Sequence, residues 1–336
     1  MDYKKFLNLL WADTKELRRK SLWNGCFYDD NEDCSSEFIN AHTISKKRVL
    51  EPISHNGHLV MFNPQNKDPF NATISEVGLQ DATVFKGFCN KHDNQIFSPI
   101  DNSKYKEGER DKEFLFAYRA LAKRYYTDVT KYNMTDIDSN SYQITGKFLP
   151  EIYRKIQMIV GFKKMVMEEI LKNMKMIRAK SNSIVKAKEY SQIETKRIVF
   201  NNMYPLATSD CIFPLNNDLE IEKLRSKGLI PLFLNIFPQG NTTFVLFSYF
   251  KTDSRLYSDL LSRLDSKSES EKHIYISRLI IKYAHNFVLS PKVWNGELRK
   301  DQKRISSIYR KLKTHEKLTH EEYGIFKNLN FFHKII

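Results

Sequence analysis

Three cysteines and one histidine stand at spacings that suit a metal ion. Seven residues separate Cys26 from Cys34, and two separate Cys89 from His92. Zn²⁺ is held tetrahedrally by thiolates and imidazoles, and a Cys₃His set is an ordinary structural solution. Two ligand pairs from distant positions let one ion clamp two loops that share little core. The first pair sits in "CFYDDNEDC", a polar loop longer than the usual knuckle, which makes Cys26 the least typical of the four. The second pair sits in the compact "CNKH". The competing reading is a set of unpaired buried cysteines with surface histidines. The fourth cysteine, Cys211, stands alone in "TSDCIFPL" and reads as a buried small hydrophobe.

Short β-like pieces must position these ligands: "FINAHTI", "HLVMF" and "TVFKGFC". An amphipathic helix is expected over residues 1–20, with Phe6, Leu9 and Leu10 toward the core, and another over 111–128. After His92, Pro99 is expected to kink or end a short helix, with Ile96, Phe97 and Ile100 packing on the strands. Residues 151–190 show the helical period through Ile152, Ile156, Ile159, Val166, Ile170, Met174 and Ile177, interrupted at Lys163. That stretch carries ten Lys+Arg against four acids, which gives its outer face a basic character. "IPLFLNIFPQGNTTFVLFSYF" reads as two apolar strands around a turn. Residues 254–289 and 297–328 read as helix. Trp294 reads as a packing anchor, and "KTHEKLTHEEY", with His315 and His320, as a solvated charged segment.

Here a resemblance enters. A strand ending in His ("INAHTI"), a second strand ending in Cys-x-x-His, and a following helix ("GFCNKHDNQIF") resemble the HNH, or ββα-metal, nucleases over residues 24–101. The resemblance implies His42 as the general base and Asp93 as the helix residue that holds a catalytic divalent cation. The chemistry suits those residue types. Histidine titrates near neutrality and can deprotonate water. Mg²⁺ or Mn²⁺ takes oxygen ligands and offsets charge on a scissile phosphate. Ala41 departs from the pattern, because the family usually places Asp, His or Glu just before the base. Asn40 or His58 is the available substitute. For His42 the alternative is a histidine that shapes the knuckle, and for His58 a histidine that flanks an Asn-Gly turn. His55 reads as an exposed bystander.

The fold expected is α+β: a zinc-clamped ββα, HNH-like module with flanking helices in residues 1–130, then a basic, mainly helical domain with a β-hairpin in 145–336. The first 150 residues hold 21 basic and 21 acidic side chains, so the whole +14 excess lies beyond them. Such asymmetry suits a polyanion partner, nucleic acid first and DNA ahead of RNA. A Lys-rich solubilising surface explains the charge equally well.

No apolar run approaches the ~18–20 residues that span a bilayer. The start of the chain lacks the apolar core of a secretory signal. The expectation is therefore a cytoplasmic protein without membrane contact, its thiols reduced. There is no Walker-type loop and no Gly-x-Ser-x-Gly elbow. The leading expectation is a metal-dependent nuclease with structural Zn²⁺, of the kind an antiviral defence or mobile-element effector carries. The alternative is a non-catalytic zinc protein that binds nucleic acid or a protein partner; under either reading a protein partner or a homo-oligomer is compatible with the chain. In a third reading the second half senses a small ligand or a partner and gates the first.

Overall fold

The computed structural model describes residues 19–28, 33–62, 73–135, 150–215 and 225–334. The helix expected over residues 1–20 falls almost wholly outside the described residues. So do the side chains of Ile152, Ile156, Ile159 and Lys163.

The fold is mixed α/β. Nine strands are described: β1 (Ala41–His42), β2 (His58–Phe62), β3 (Ile74–Gly78), β4 (Val84–Phe85), β5 (Ile193–Phe200), β6 (Leu206–Ile212), β7 (Leu232–Gln239), β8 (Thr242–Phe250) and β9 (Phe287–Leu289). β1 and β4 form a small antiparallel pair, and the other seven form one sheet in the order β3-β2-β9-β6-β7-β8-β5. The expected hairpin is β7–β8, closed by a two-residue loop between Gln239 and Thr242. Gly240 takes a φ of 63° there, which suits a glycine in a tight hairpin.

Two features exceed the sequence reading. β2 and β3 belong to the first half, yet β2 pairs with β9 near the other end of the chain. One sheet therefore runs through both halves. β9 also interrupts a stretch read as helix, because three residues, "FVL", are too short to show a period of two.

Apolar residues line both faces of the central strands, since helices cover each side. On β7, Leu232, Leu234 and Ile236 face one way, and Phe233 and Phe237 the other. The first face meets α4 (Glu269–Tyr283), α5 (Gln302–Thr314) and α6 (His320–Asn328), through Ile276, Ile280, Ile305 and Phe326. Trp294 packs there against Phe62, ring to ring at 6.1 Å. The other face is crossed by α2 (Arg110–Thr135), which lies over β6, β7 and β8 and packs along the 38-residue α3 (Pro150–Ala187). Ile170, Met174 and Ile177 are buried on α3 at the expected spacing, so this part of the stripe is core.

Three elements complete the frame. α1 runs Asn90–Asn102 and carries Pro99 inside it. The helix thus continues past the expected break. Proline removes one donor late in the helix, while Phe97 and Ile100 stay buried in the core and hold the last turn in place. A π-helical turn, Lys46–Leu50, leads into a short turn at Glu51–Ile53. At "HNGH", Asn56 and Gly57 both adopt positive φ (51° and 71°), the pattern of a type I′ turn.

Candidate metal centre and the cleft beside it

Cys89 ends the strand segment and caps α1, its sulfur accepting from the His92 amide at 3.5 Å. One turn of helix then places His92 beside Cys89. The Cys26 loop arrives from the other side, where the Phe27 amide donates to Gly87 O at 2.7 Å. The Cys34 strand segment joins through an antiparallel bridge between Phe38 and Cys89. The ligand atoms of Cys26, Cys34, Cys89 and His92 all lie within 4.8 Å of one another.

Their geometry fits a metal. His92 Nδ1 lies 3.4, 3.6 and 3.3 Å from the sulfurs of Cys26, Cys34 and Cys89. Tetrahedral zinc with ordinary bond lengths sets each N···S edge at ~3.6 Å. One imidazole nitrogen carries one proton or one lone pair and cannot serve three thiols as hydrogen bonds, whereas a shared cation can. Burial, then the neighbouring Cys26, pushes the Cys34 thiol up to about 12. Burial raises Cys26 too. At Cys89 burial is outweighed by the His92 and Ser35 amides, and its thiol moves down. These four residues could hold a zinc ion, each thiol losing its proton to do so.

The cluster is braced from far along the chain. Arg178 on α3 donates to the carbonyls of Phe27 and Cys26, both at 2.8 Å. Asn182, one turn on, donates to the carbonyls of Phe27 and Tyr28 and accepts from the Tyr118 hydroxyl at 2.6 Å. The first-half knuckle thus rests on side chains of the second half.

His42 lies on β1, half-buried, opposite Val84 on β4. Its Nδ1 is 2.8 Å from Ala82 O. A carbonyl only accepts, so Nδ1 carries the proton and Nε2 carries the lone pair. Burial lowers the His42 pKa, and the charges of Lys46 and Arg119 add to that. Ala41, its neighbour, is buried in the apolar cluster with Phe85 and Phe88. Asp93 sits in the first turn of α1, buried, and its Oδ1 has no hydrogen-bond partner among the described residues. Burial raises its pKa, opposed by the Arg119 charge.

Arg119 is the residue the sequence reading missed. It clamps both oxygens of Asp101 at 2.8 and 2.6 Å and stacks over Phe97 at 4.0 Å. Only 3% of it is exposed. The available signal was a cation four residues after Leu115 and three before Ala122, within the apolar stripe of α2. Arg119 acts electrostatically on both His42 and Asp93, so the two candidates share its neighbourhood. His58 is exposed at the start of β2 and donates from Nδ1 to Asn56 O within its own turn. His55 is exposed, and Cys211 is fully buried in the sheet.

A cleft of about 520 Å³ opens beside this group, bounded by the Lys46–Leu50 turn, the end of α1, α2 and the edge of β7. No helix among the described residues is long and apolar enough to cross a membrane. No family model matches the chain, and no curated protein and no solved structure matches it either.

Proposed function

We propose that the chain is a zinc-braced, HNH-like nuclease that hydrolyses nucleic-acid phosphodiesters with a divalent cation. The carrying observation is the course of the chain from His42 on β1, through its partner β4, to Cys89 and Asp93 at the head of α1. That order is compatible with a ββα arrangement in which β2 and β3 are inserted between the two strands, and a zinc ion at the Cys₃His cluster would lock the strand pair to the helix.

His42 fits the base. Its Nδ1–H is held by Ala82 O, which leaves Nε2 unprotonated. A lowered pKa keeps it neutral across physiological pH, able to take a proton from water. Asp93, with an unpartnered buried oxygen, would hold Mg²⁺ or Mn²⁺, and His58 is the further candidate. Bound there, the cation would offset charge on the phosphate and the leaving oxygen. The basic surface of residues 151–336 would hold the backbone, DNA ahead of RNA.

One observation favours a second reading. Ala41 is packed into the core, so the position next to His42 offers no metal ligand. A non-catalytic zinc protein that binds nucleic acid or a protein partner would retain the rest. Plasmid and RNA cleavage with Mg²⁺ or Mn²⁺ separates the two. The nuclease reading expects cutting by wild type and a loss of about 10²-fold or more in His42→Ala. Undiminished cutting by that variant removes His42 as base. Nucleic-acid binding without cutting by either protein selects the second reading.

A further inference from the structure

The cleft beside Arg119 contains a polar group with nothing to bind. Asn235 lies on β7, paired with Ser209 of β6, deep in the sheet and only 1% exposed. Neither its Oδ1 nor its Nδ2 has a hydrogen-bond partner among the described residues. A buried amide left unmade at both ends is strongly unfavourable, and leucine would fill the same volume without that cost. Asn235 lines the cleft, as do Phe237 and Gln239, which follow at the two-residue spacing that keeps side chains on one face of a strand.

The rest of the lining divides by chemistry. Phe116 and Phe237 form an aromatic wall, their ring centroids 4.9 Å apart. Gln239 is fully engaged: its amide nitrogen donates to Tyr105 O and its oxygen accepts from the Tyr105 amide, both at 2.9 Å. This clamp fixes the wall and leaves Asn235 as the free polar group beside it. Lys47, Arg48 and Lys104 stand at the mouth, and none of them enters an ion pair among the described residues. The acid in the lining, Asp101, is already neutralised by Arg119. The mouth therefore carries uncompensated positive charge, while beneath the aromatic surface lies one acceptor beside one donor, both closed to solvent in this structure and unpaired.

That combination matches one class of small molecule. A carboxamide pairs in bidentate fashion with a nucleobase edge that offers a donor beside an acceptor. Aromatic rings stack on bases regardless of sequence. Lysine and arginine at an open mouth attract phosphate. We propose that this cleft binds a nucleoside phosphate, its base edge against Asn235 and its phosphate toward Lys47, Arg48 and Lys104. The site adjoins the proposed cutting centre through Arg119, which lines it, but does not include His42 and Asp93, which are not among the lining residues.

Equilibrium dialysis of the full-length, zinc-loaded protein against AMP, GMP, CMP, UMP and inorganic phosphate tests this, with no Mg²⁺ or Mn²⁺ present. At least one nucleotide should bind about 10-fold or more tighter than phosphate. Asn235→Leu should weaken that nucleotide about 10- to 100-fold, while its melting temperature stays level or rises because an unsatisfied amide has gone. Lys47→Ala combined with Lys104→Ala should weaken nucleotide and phosphate alike. His42→Ala should bind as wild type does, so failure of the nuclease reading leaves this one standing. Phosphate binding as tightly as every nucleotide overturns the proposal. So does no binding at all, or unchanged nucleotide affinity in a folded Asn235→Leu protein.

Discussion

Arg178 Nη2 donates to the main-chain carbonyl of Cys26 at 2.8 Å, across 152 positions of sequence. The same guanidinium holds Phe27 O through Nε and lies over the Phe27 and Tyr125 rings. A helix of the second half thus fixes the backbone of the first candidate metal ligand. Replacing Arg178 with Met keeps most of the apolar stem and removes both donors. Two largely buried carbonyls then lose charge-assisted bonds, at about 1–3 kcal/mol each. Arg178→Met should melt lower by several degrees and give up zinc faster to a chromogenic chelator. Zinc release at the wild-type rate would show that the brace and the cluster are independent.

Metal removal offers a direct measure of the cluster. Metal analysis should find about one zinc per wild-type chain and none in Cys89→Ser. The ligands come from loops held by few strand contacts, so stripping the ion should lower the melting temperature sharply. Binding must expel thiol protons, and the Cys34 thiol stands at about 12 without metal. Zinc affinity should therefore rise steeply from pH 6 to pH 8, with proton release measurable in weakly buffered solution. A wild-type protein that carries no zinc at pH 8 would remove the basis of the clamp.

The Cys and His positions were legible because metal chemistry restricts residue type and spacing so strongly. The long helix was legible because it repeats its period over many residues, as Ile170, Met174 and Ile177 do, and the β7–β8 hairpin because two apolar runs flank a Pro-Gln-Gly-Asn turn. The seven-stranded sheet was not. Its β2–β9 pairing joins Val60 to Leu289, and no local pattern specifies a partner over that distance. Arg119 and Asn235 escaped for a related reason. Each looks locally like an ordinary polar residue, and only the neighbours brought by the fold reveal that one is buried on Phe97 and the other left unpaired.

His273 should make stability depend on pH. It is 6% exposed, stacked face to face on Phe332 at 4.6 Å and edged by Phe200 and Tyr204. Burial lowers its pKa from 6.5 to about 4, against the pull of Glu269. The unfolded chain takes up a proton as pH falls through 6.5, while the folded chain refuses it until about 4. Stability is therefore present above 6.5 and is lost progressively between 6.5 and 4, by up to about 3 kcal/mol. His273→Phe keeps the stack and removes the titration. Urea midpoints at pH 7 and pH 5 should fall further in wild type than in this variant. Zinc loss on acidification is common to both proteins, so the difference isolates His273. Equal falls would mean that His273 protonates without cost in the fold.

Arg119 offers the sharpest test of the proposed centre. Its charge lowers the pKa of His42, after burial, and also that of Asp93. Arg119→Met keeps a flexible apolar side chain on Phe97 but leaves the Asp101 carboxylate without its clamp. At His42 a cation that lowered its pKa has gone. Its pKa should rise. A base works only when unprotonated, so the acid limb of the cleavage rate against pH should move to higher pH. Asp93 shifts upward in the same way, which weakens cation binding most at low pH. The variant should cut much more slowly than wild type at pH 6 and approach it at pH 8. A uniform loss at every pH, with the limb in place, would assign Arg119 to substrate binding or folding and detach it from the titration of His42.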